Sequence, residues 1–105
     1  MRILKVLRVR EYARVHAAAS ANLERWITLT KAAVWTDFED VKSTFSSADA
    51  VQVDSGRTVV VFNISGNKFR LITAIHYKIG RIGKVFVLRF LTHAEYSKNK
   101  WKEEL

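Results

Sequence analysis

"RTVVVFNISGNKFRLITAIHYKIGRIGKVFVLRFLTH", residues 57–93, decides the fold. Three segments in it, 57–64, 67–79 and 83–93, are dense in Val, Ile, Phe, Tyr and Thr, which fit a pleated, half-buried surface. The connections "SGN" and "GRIG" are too short for a parallel return, so the three strands are expected to be antiparallel neighbours. Gly66 and Asn67 read as a turn with a positive φ at the glycine. Alternation along the middle strand groups Lys68, Arg70, Ile72, Ala74, His76 and Lys78 on one side, with Phe69, Leu71, Thr73, Ile75 and Tyr77 on the other. The same rule in the last strand sets Val85, Val87, Arg89, Leu91 and His93 against Lys84, Phe86, Leu88, Phe90 and Thr92.

Working outward, the first half of the chain is helical in pattern. Proline is absent and all four glycines lie after residue 55. "VREYARVHAAASANLERWITLTKAAVW" reads as helix with a break near Ser20 and Asn22, either of which suits a cap. Leu23, Trp26, Ile27 and Thr30 recur at helical spacing and lay an apolar stripe on one face. "TDFEDVKSTF" predicts a further helix, capped by Thr36 or Asp37, with Glu39 and Asp40 in its first turn. Trp26 and Trp35 are expected in the core. "MRILKV" and "AVQV" are candidates for additional short strands. The expected architecture is α+β: N-terminal helices packed on one face of a small twisted antiparallel sheet whose other face is partly open, as one domain over residues 1–105.

Composition bounds the function. The 105 residues contain no cysteine, which excludes disulfides and cysteine zinc sites. With 49% hydrophobic and 27% charged residues, the chain has the make-up of a globule. No apolar run approaches the ~20 residues of a membrane span, and charge interrupts the N-terminal stretch, so a soluble, cytoplasmic protein without a membrane partner is expected. The net charge is +8. Residues 1–56 carry eight Lys and Arg against seven Asp and Glu, whereas residues 57–105 carry ten against three. A polyanion such as nucleic acid is therefore expected to touch the β-rich half.

"RFLTHAEYSKNKW", residues 89–101, gathers the groups that could do chemistry. Arg70 and Arg89 carry planar forks that match phosphate oxygens, and each could instead pair with an acidic helix residue such as Glu39 or Asp40. Histidine is the side chain best suited to proton exchange at physiological pH, which makes His93 the candidate general acid or base; the alternative is a strand-end histidine on a backbone carbonyl. Tyr96 offers a proton or a stacking platform, or simply a rim residue. Glu95 is a candidate base, with pairing to a lysine the preferred reading. Trp101 is expected to dock on its own domain. His16 and His76 lack ligand-like spacing to a second histidine or carboxylate, so neither a metal nor another cofactor is expected.

"DFEDVKSTFSSADAV" at 37–51, "VVFNISGNKFRLITAIHY" at 60–77 and "VFVLRFLTHAEYSK" at 85–98, after an "MRI" opening and an amphipathic helix, resemble the HigB family of type II toxin–antitoxin toxins, RelE-like proteins. The match runs nearly end to end; the tail after Lys98 fits no family pattern. The resemblance implies a ribosome-dependent mRNA endonuclease that inhibits translation without a metal. It implies as partners mRNA on the ribosome and a cognate helix-turn-helix, HigA-like antitoxin, with DNA approached only through the antitoxin complex. By position in the RxxxHxxY stretch it implies roles for Arg89, His93 and Tyr96; the expected site adds Arg70 on the phosphate, with Lys68, Lys98, Lys100 and Asn67 on RNA. A basic module that binds RNA or protein and acts by occupancy alone is the alternative.

Overall fold

The computed structural model describes residues 1–78, Gly80 and residues 82–105. Its elements run β1 (Arg2–Leu4), α1 (Val6–Val15), a 3₁₀ turn (Ala17–Ala19), α2 (Ser20–Ala32), α3 (Phe38–Thr44), β2 (Asp49–Gln52), β3 (Thr58–Ile64), β4 (Phe69–His76), β5 (Lys84–Thr92), α4 (His93–Ser97) and α5 (Trp101–Glu104). The α+β architecture is the expected one. Strand order in the sheet is β1-β5-β4-β3-β2. The three central strands are antiparallel, and both N-terminal additions form: β2 antiparallel to β3, and β1 parallel to β5, which makes the sheet mixed. Helices α1 and α2 separate β1 from the rest of the sheet in sequence, which leaves chain enough for a parallel return. The expected turn at "GRIG" includes Arg81, and the expected end of the middle strand is Ile79; both lie outside the described residues. None of the helices described is long and apolar enough to cross a membrane.

Local chemistry accounts for most boundaries. Asp37 caps α3 by accepting from the Asp40 amide at 3.0 Å, while Asp40 accepts from the Thr36 amide and hydroxyl at 2.8 and 2.7 Å. That network holds the Asp40 carboxyl below the usual range. The break between the first two helices runs from His16 through the 3₁₀ turn to Ser20, where α2 begins, so it falls next to Ser20 as expected; α2 starts without a side-chain cap, so neither Ser20 nor Asn22 acts as one. Asn22 is used differently. Its amide donates to the Ser65 hydroxyl at 2.9 Å, and Ser65 donates to the Ala18 carbonyl at 3.1 Å, tying the β3–β4 turn to the helices. In that turn both Ser65 and Gly66 adopt positive φ, 55° and 65°. This is the twist a tight antiparallel turn requires.

The helix-facing side of the sheet carries the main core. Leu23, Trp26 and Ile27 of α2, with Trp35 and Val41, bury against Phe62, Leu71, Val85 and Val87. Phe62 forms the centre of an aromatic cluster, with rings of Trp26, Trp35 and Phe45 between 5.2 and 6.2 Å away. Nearer the β5 end, Tyr12 stacks on Phe90 and Phe90 on Phe69, each at 5.2 Å, holding α1 against the sheet. The other side is covered over part of its area by α5, where Trp101 packs with Val53, Val59, Val61 and Ile72. Both expected core tryptophans are buried, and Trp101 docks on the sheet as expected.

One register feature overturns the parity expected for the last strand. Ile72 pairs with Arg89 but Thr73 pairs with Val87, so Leu88 is an extra residue in a β-bulge. Val85 and Val87 face the helices, yet beyond the bulge it is Phe90 that does so, while Arg89 and Leu91 turn to the open side. Strict alternation would have put Arg89 among the core valines. The bulge moves it out.

Burial of phenols makes the fold sensitive to alkali. Tyr12, Tyr77 and Tyr96 all have pKa values raised above 10.0, in each case chiefly by loss of solvent around the phenolate. Below pH 10 folded and unfolded chains are equally protonated at these positions. Above it the unfolded chain loses protons first, so stability falls as pH rises through the folded values. We expect the urea midpoint to fall as pH rises above about 10, and Tyr96→Phe to make that fall shallower.

Candidate active site

Arg70 is the centre of the site. It lies on β4 facing the open side and is 8% exposed, yet among the described residues no carboxylate pairs with it. Its guanidinium is held by neutral partners: it donates to the Phe69 carbonyl at 3.1 Å and to Asn67 Oδ1 at 2.7 Å. Its second amino nitrogen lies 3.5 Å from His93 Nδ1, and its carbon sits 5.3 Å from the centre of the Tyr96 ring. The ion pair with Glu39 or Asp40 does not form: α3 packs Val41 into the helix-side core while Arg70 faces the open side, and Asp40 accepts from Thr36. A cation that is nearly buried and neutralised by no anion is a ready receptor for one.

His93 does not continue β5. It opens α4, and the reason is local: Thr92 caps the helix by accepting from the Glu95 amide at 3.2 Å, and Glu95 accepts from the Thr92 amide at 2.9 Å. This reciprocal box ends the strand and turns His93 back beside Arg70. Glu95 is engaged in this cap and, among the described residues, forms no ion pair with a lysine. The His93 amide donates to the Lys68 carbonyl at 2.9 Å, which ties α4 to the β3–β4 turn and leaves the ring exposed. Thr92→Ala should cost about 1 kcal/mol, read as a lower urea midpoint, and should loosen His93 as well.

Tyr96, one turn further along α4, is half-buried. Burial raises its phenol pKa, and Asp49 adds to the rise while Arg70 opposes it. At neutral pH it is a proton donor, not a phenolate. Behind it Trp101 stacks at 5.2 Å with an interplanar angle of 18°, and the indole N–H donates to the Tyr96 carbonyl at 3.0 Å. Arg70, Tyr96 and Trp101 thus form a layered stack on the open face. The sequence reading placed Trp101 on the domain surface but did not link it to Tyr96. The signal was present as spacing: an aromatic five residues after Tyr96, just beyond the short helix.

Of the other expected residues, Asn67 belongs to the cluster as the acceptor that orients Arg70. Arg89 shares the open face with Arg70, since Ile72 faces it and Leu91 faces Arg70. Its guanidinium reaches Glu104 at 3.7 Å, an exposed pairing worth little in water. A pocket of about 360 Å³ beside the cluster is lined by Arg89, Leu91, Glu95, Lys98, Lys100, Trp101 and Glu104. Lys98 and Lys100 thus ring this pocket, while exposed Lys68 lies at the turn on the far side of His93. The arrangement brings together a buried cation, an imidazole and a neutral phenol, with lysines around them. Chemically it can bind a phosphate and move protons at its oxygens.

No curated protein matches the chain closely enough to count as a relative. A family model described as HigB toxin, the RelE-like toxic component of a toxin–antitoxin system, matches residues 19–99, a span that takes in α2, the whole antiparallel part of the sheet and every member of the Arg70, His93 and Tyr96 cluster. The chain belongs to this HigB family of RelE-like toxins.

Proposed function

We propose that this toxin is a ribosome-dependent endoribonuclease that cuts mRNA and so stops translation. The observation that supports it most is the uncompensated Arg70 guanidinium set between the His93 imidazole and the Tyr96 phenol. In this reading Arg70 holds the non-bridging oxygens of the scissile phosphate, with Asn67 fixing its orientation. A ribose 2′-hydroxyl attacks phosphorus, its proton passing to a base. The bond to the 5′-oxygen breaks, and that oxygen takes a proton from an acid, leaving a 5′-hydroxyl and a cyclic phosphate. His93, beside Arg70, is the residue placed to exchange these protons, and Tyr96, held protonated, donates to a phosphate or leaving oxygen. Arg89, Lys68, Lys98 and Lys100 contact the strand on either side, with charge build-up at phosphorus stabilised mainly by Arg70.

The reading carries the partners with it. Membership of the family brings a cognate antitoxin; we take it to be a helix-turn-helix protein of the HigA type, through which alone the toxin would approach DNA. The open face is shallow rather than a deep channel, so the ribosome is expected to present the strand and naked mRNA to be cut poorly. The test is to induce the protein without its antitoxin and map mRNA ends by primer extension. New ends within translated regions are expected. Growth arrest with intact mRNA would end the nuclease reading in favour of occupancy.

A further inference from the structure

The open face continues beyond the cluster to a second basic feature that the site above does not use. On that face, at the opposite end of the strands, Arg2 of β1 pairs in register with Lys84 of β5, and Lys84 with His76 of β4. Their neighbours Ile3 and Val85 are buried on the helix side, so these three side chains share the open side and all are exposed. Arg57, just before β3, extends the row: with His76 it lines a shallow pocket of about 240 Å³ floored by Ala74, Phe86 and Leu88. The His76 and Phe86 rings are 4.9 Å apart.

Like charges directly across strands repel, and a sheet gains nothing from them on its own account. Among the described residues, Arg2, Arg57 and Lys84 have no carboxylate within ion-pair distance. The row therefore sets three cations and an imidazole side by side across the sheet, next to an aromatic floor. Phosphates along a backbone, with a base laid on Phe86, complement that pattern; this is how sequence-tolerant single-strand surfaces are built. Arg70 and His76 are six residues apart on β4, or about 20 Å.

We infer that this row is a second RNA-binding site, which grips the single strand about 20 Å from the Arg70 cluster along the same sheet face. It rests on the nuclease reading only in taking RNA as the polyanion. The bulge turns Arg89 toward the cluster, while Leu88 keeps the side that alternation with Phe86 gives it and lies on the floor of the second pocket.

The test is binding of fluorescein-labelled 2′-O-methyl RNA, which lacks the attacking hydroxyl, to the full chain by anisotropy across a salt series. Strands long and short enough to reach, or not reach, from the cluster to the row are compared. For the long strand, Arg57→Ala with Lys84→Ala should weaken binding and lower the slope of log K against log salt by about 1.4, near 0.7 per lost phosphate contact. Phe86→Ala should weaken it roughly tenfold. The short strand should sense none of these changes. All three positions are at least partly exposed, and unchanged circular dichroism would confirm that the variants fold. Unchanged affinity and slope with the long strand would overturn the inference. So would an equal effect on duplex RNA, or a loss confined to the antitoxin complex. Because the probe cannot be cut, the inference and the nuclease reading fail separately.

Discussion

His93→Ala should slow mRNA cleavage by about 10²- to 10⁴-fold while leaving RNA affinity and folding intact, since positioned proton transfer is worth that much in rate. The ring is exposed, and its backbone, not its side chain, makes the bond that ties α4 to the turn at Lys68. Removing the imidazole leaves Arg70 with its bonds to Phe69 and Asn67, so the phosphate receptor survives. Single-turnover cleavage on programmed ribosomes, beside a binding measurement, separates the two effects. If toxicity and cleavage persist in this variant, proton transfer is not what the site does, and inhibition by occupancy becomes the better account. Arg70→Ala should differ from it in kind. It removes the only cation buried in the cluster and should reduce both binding and rate.

Trp101→Ala should destabilise the protein by about 3–5 kcal/mol, the usual cost of emptying a buried tryptophan site. Trp101 is 4% exposed and supplies the largest side chain to the smaller core on the open side of the sheet. Against a total stability of about 5–15 kcal/mol for a domain of ordinary size, that loss should move the urea midpoint far and leave the slope nearly unchanged. Trp101→Phe keeps a ring behind Tyr96 but loses the bond from the indole to the Tyr96 carbonyl, and should cost about 0.5–1.5 kcal/mol beyond any packing change. Activity in the Phe variant should fall more than its stability would require, because Tyr96 loses a tether. The family match ends at residue 99. This support for Tyr96 therefore comes from beyond the matched span.

Much of this was legible in the sequence. The density of Val, Ile, Phe, Tyr and Thr in three segments between 57 and 93, together with short Gly-containing connections, determined three antiparallel strands, because no parallel return fits loops of that length. Helical spacing of Leu23, Trp26, Ile27 and Thr30 determined the face that α2 buries. Composition determined where the excess positive charge lies. The motif around Arg89, His93 and Tyr96 pointed to the end of the last strand, and Asp37 was legible as a cap.

What the sequence left open depended on interactions between distant residues. Alternation assigns Arg89 to a face only if the strand is regular, and the bulge at Leu88 is set by pairing with β4, which no local pattern reports. Whether Arg70 would find a carboxylate depended on where α3 came to lie and on Asp40 being used by Thr36. The capping pair of Thr92 and Glu95 was visible as a spacing, yet its choice over a longer strand needed the bond from His93 to Lys68, contributed by another turn. The stack of Trp101 on Tyr96 and Arg70 likewise joins three separate elements. Local propensity fixes periodicity and caps because those act over a few residues. Which charged groups meet, and which remain unpaired, is decided by packing across the whole sheet, and only the tertiary structure contains it.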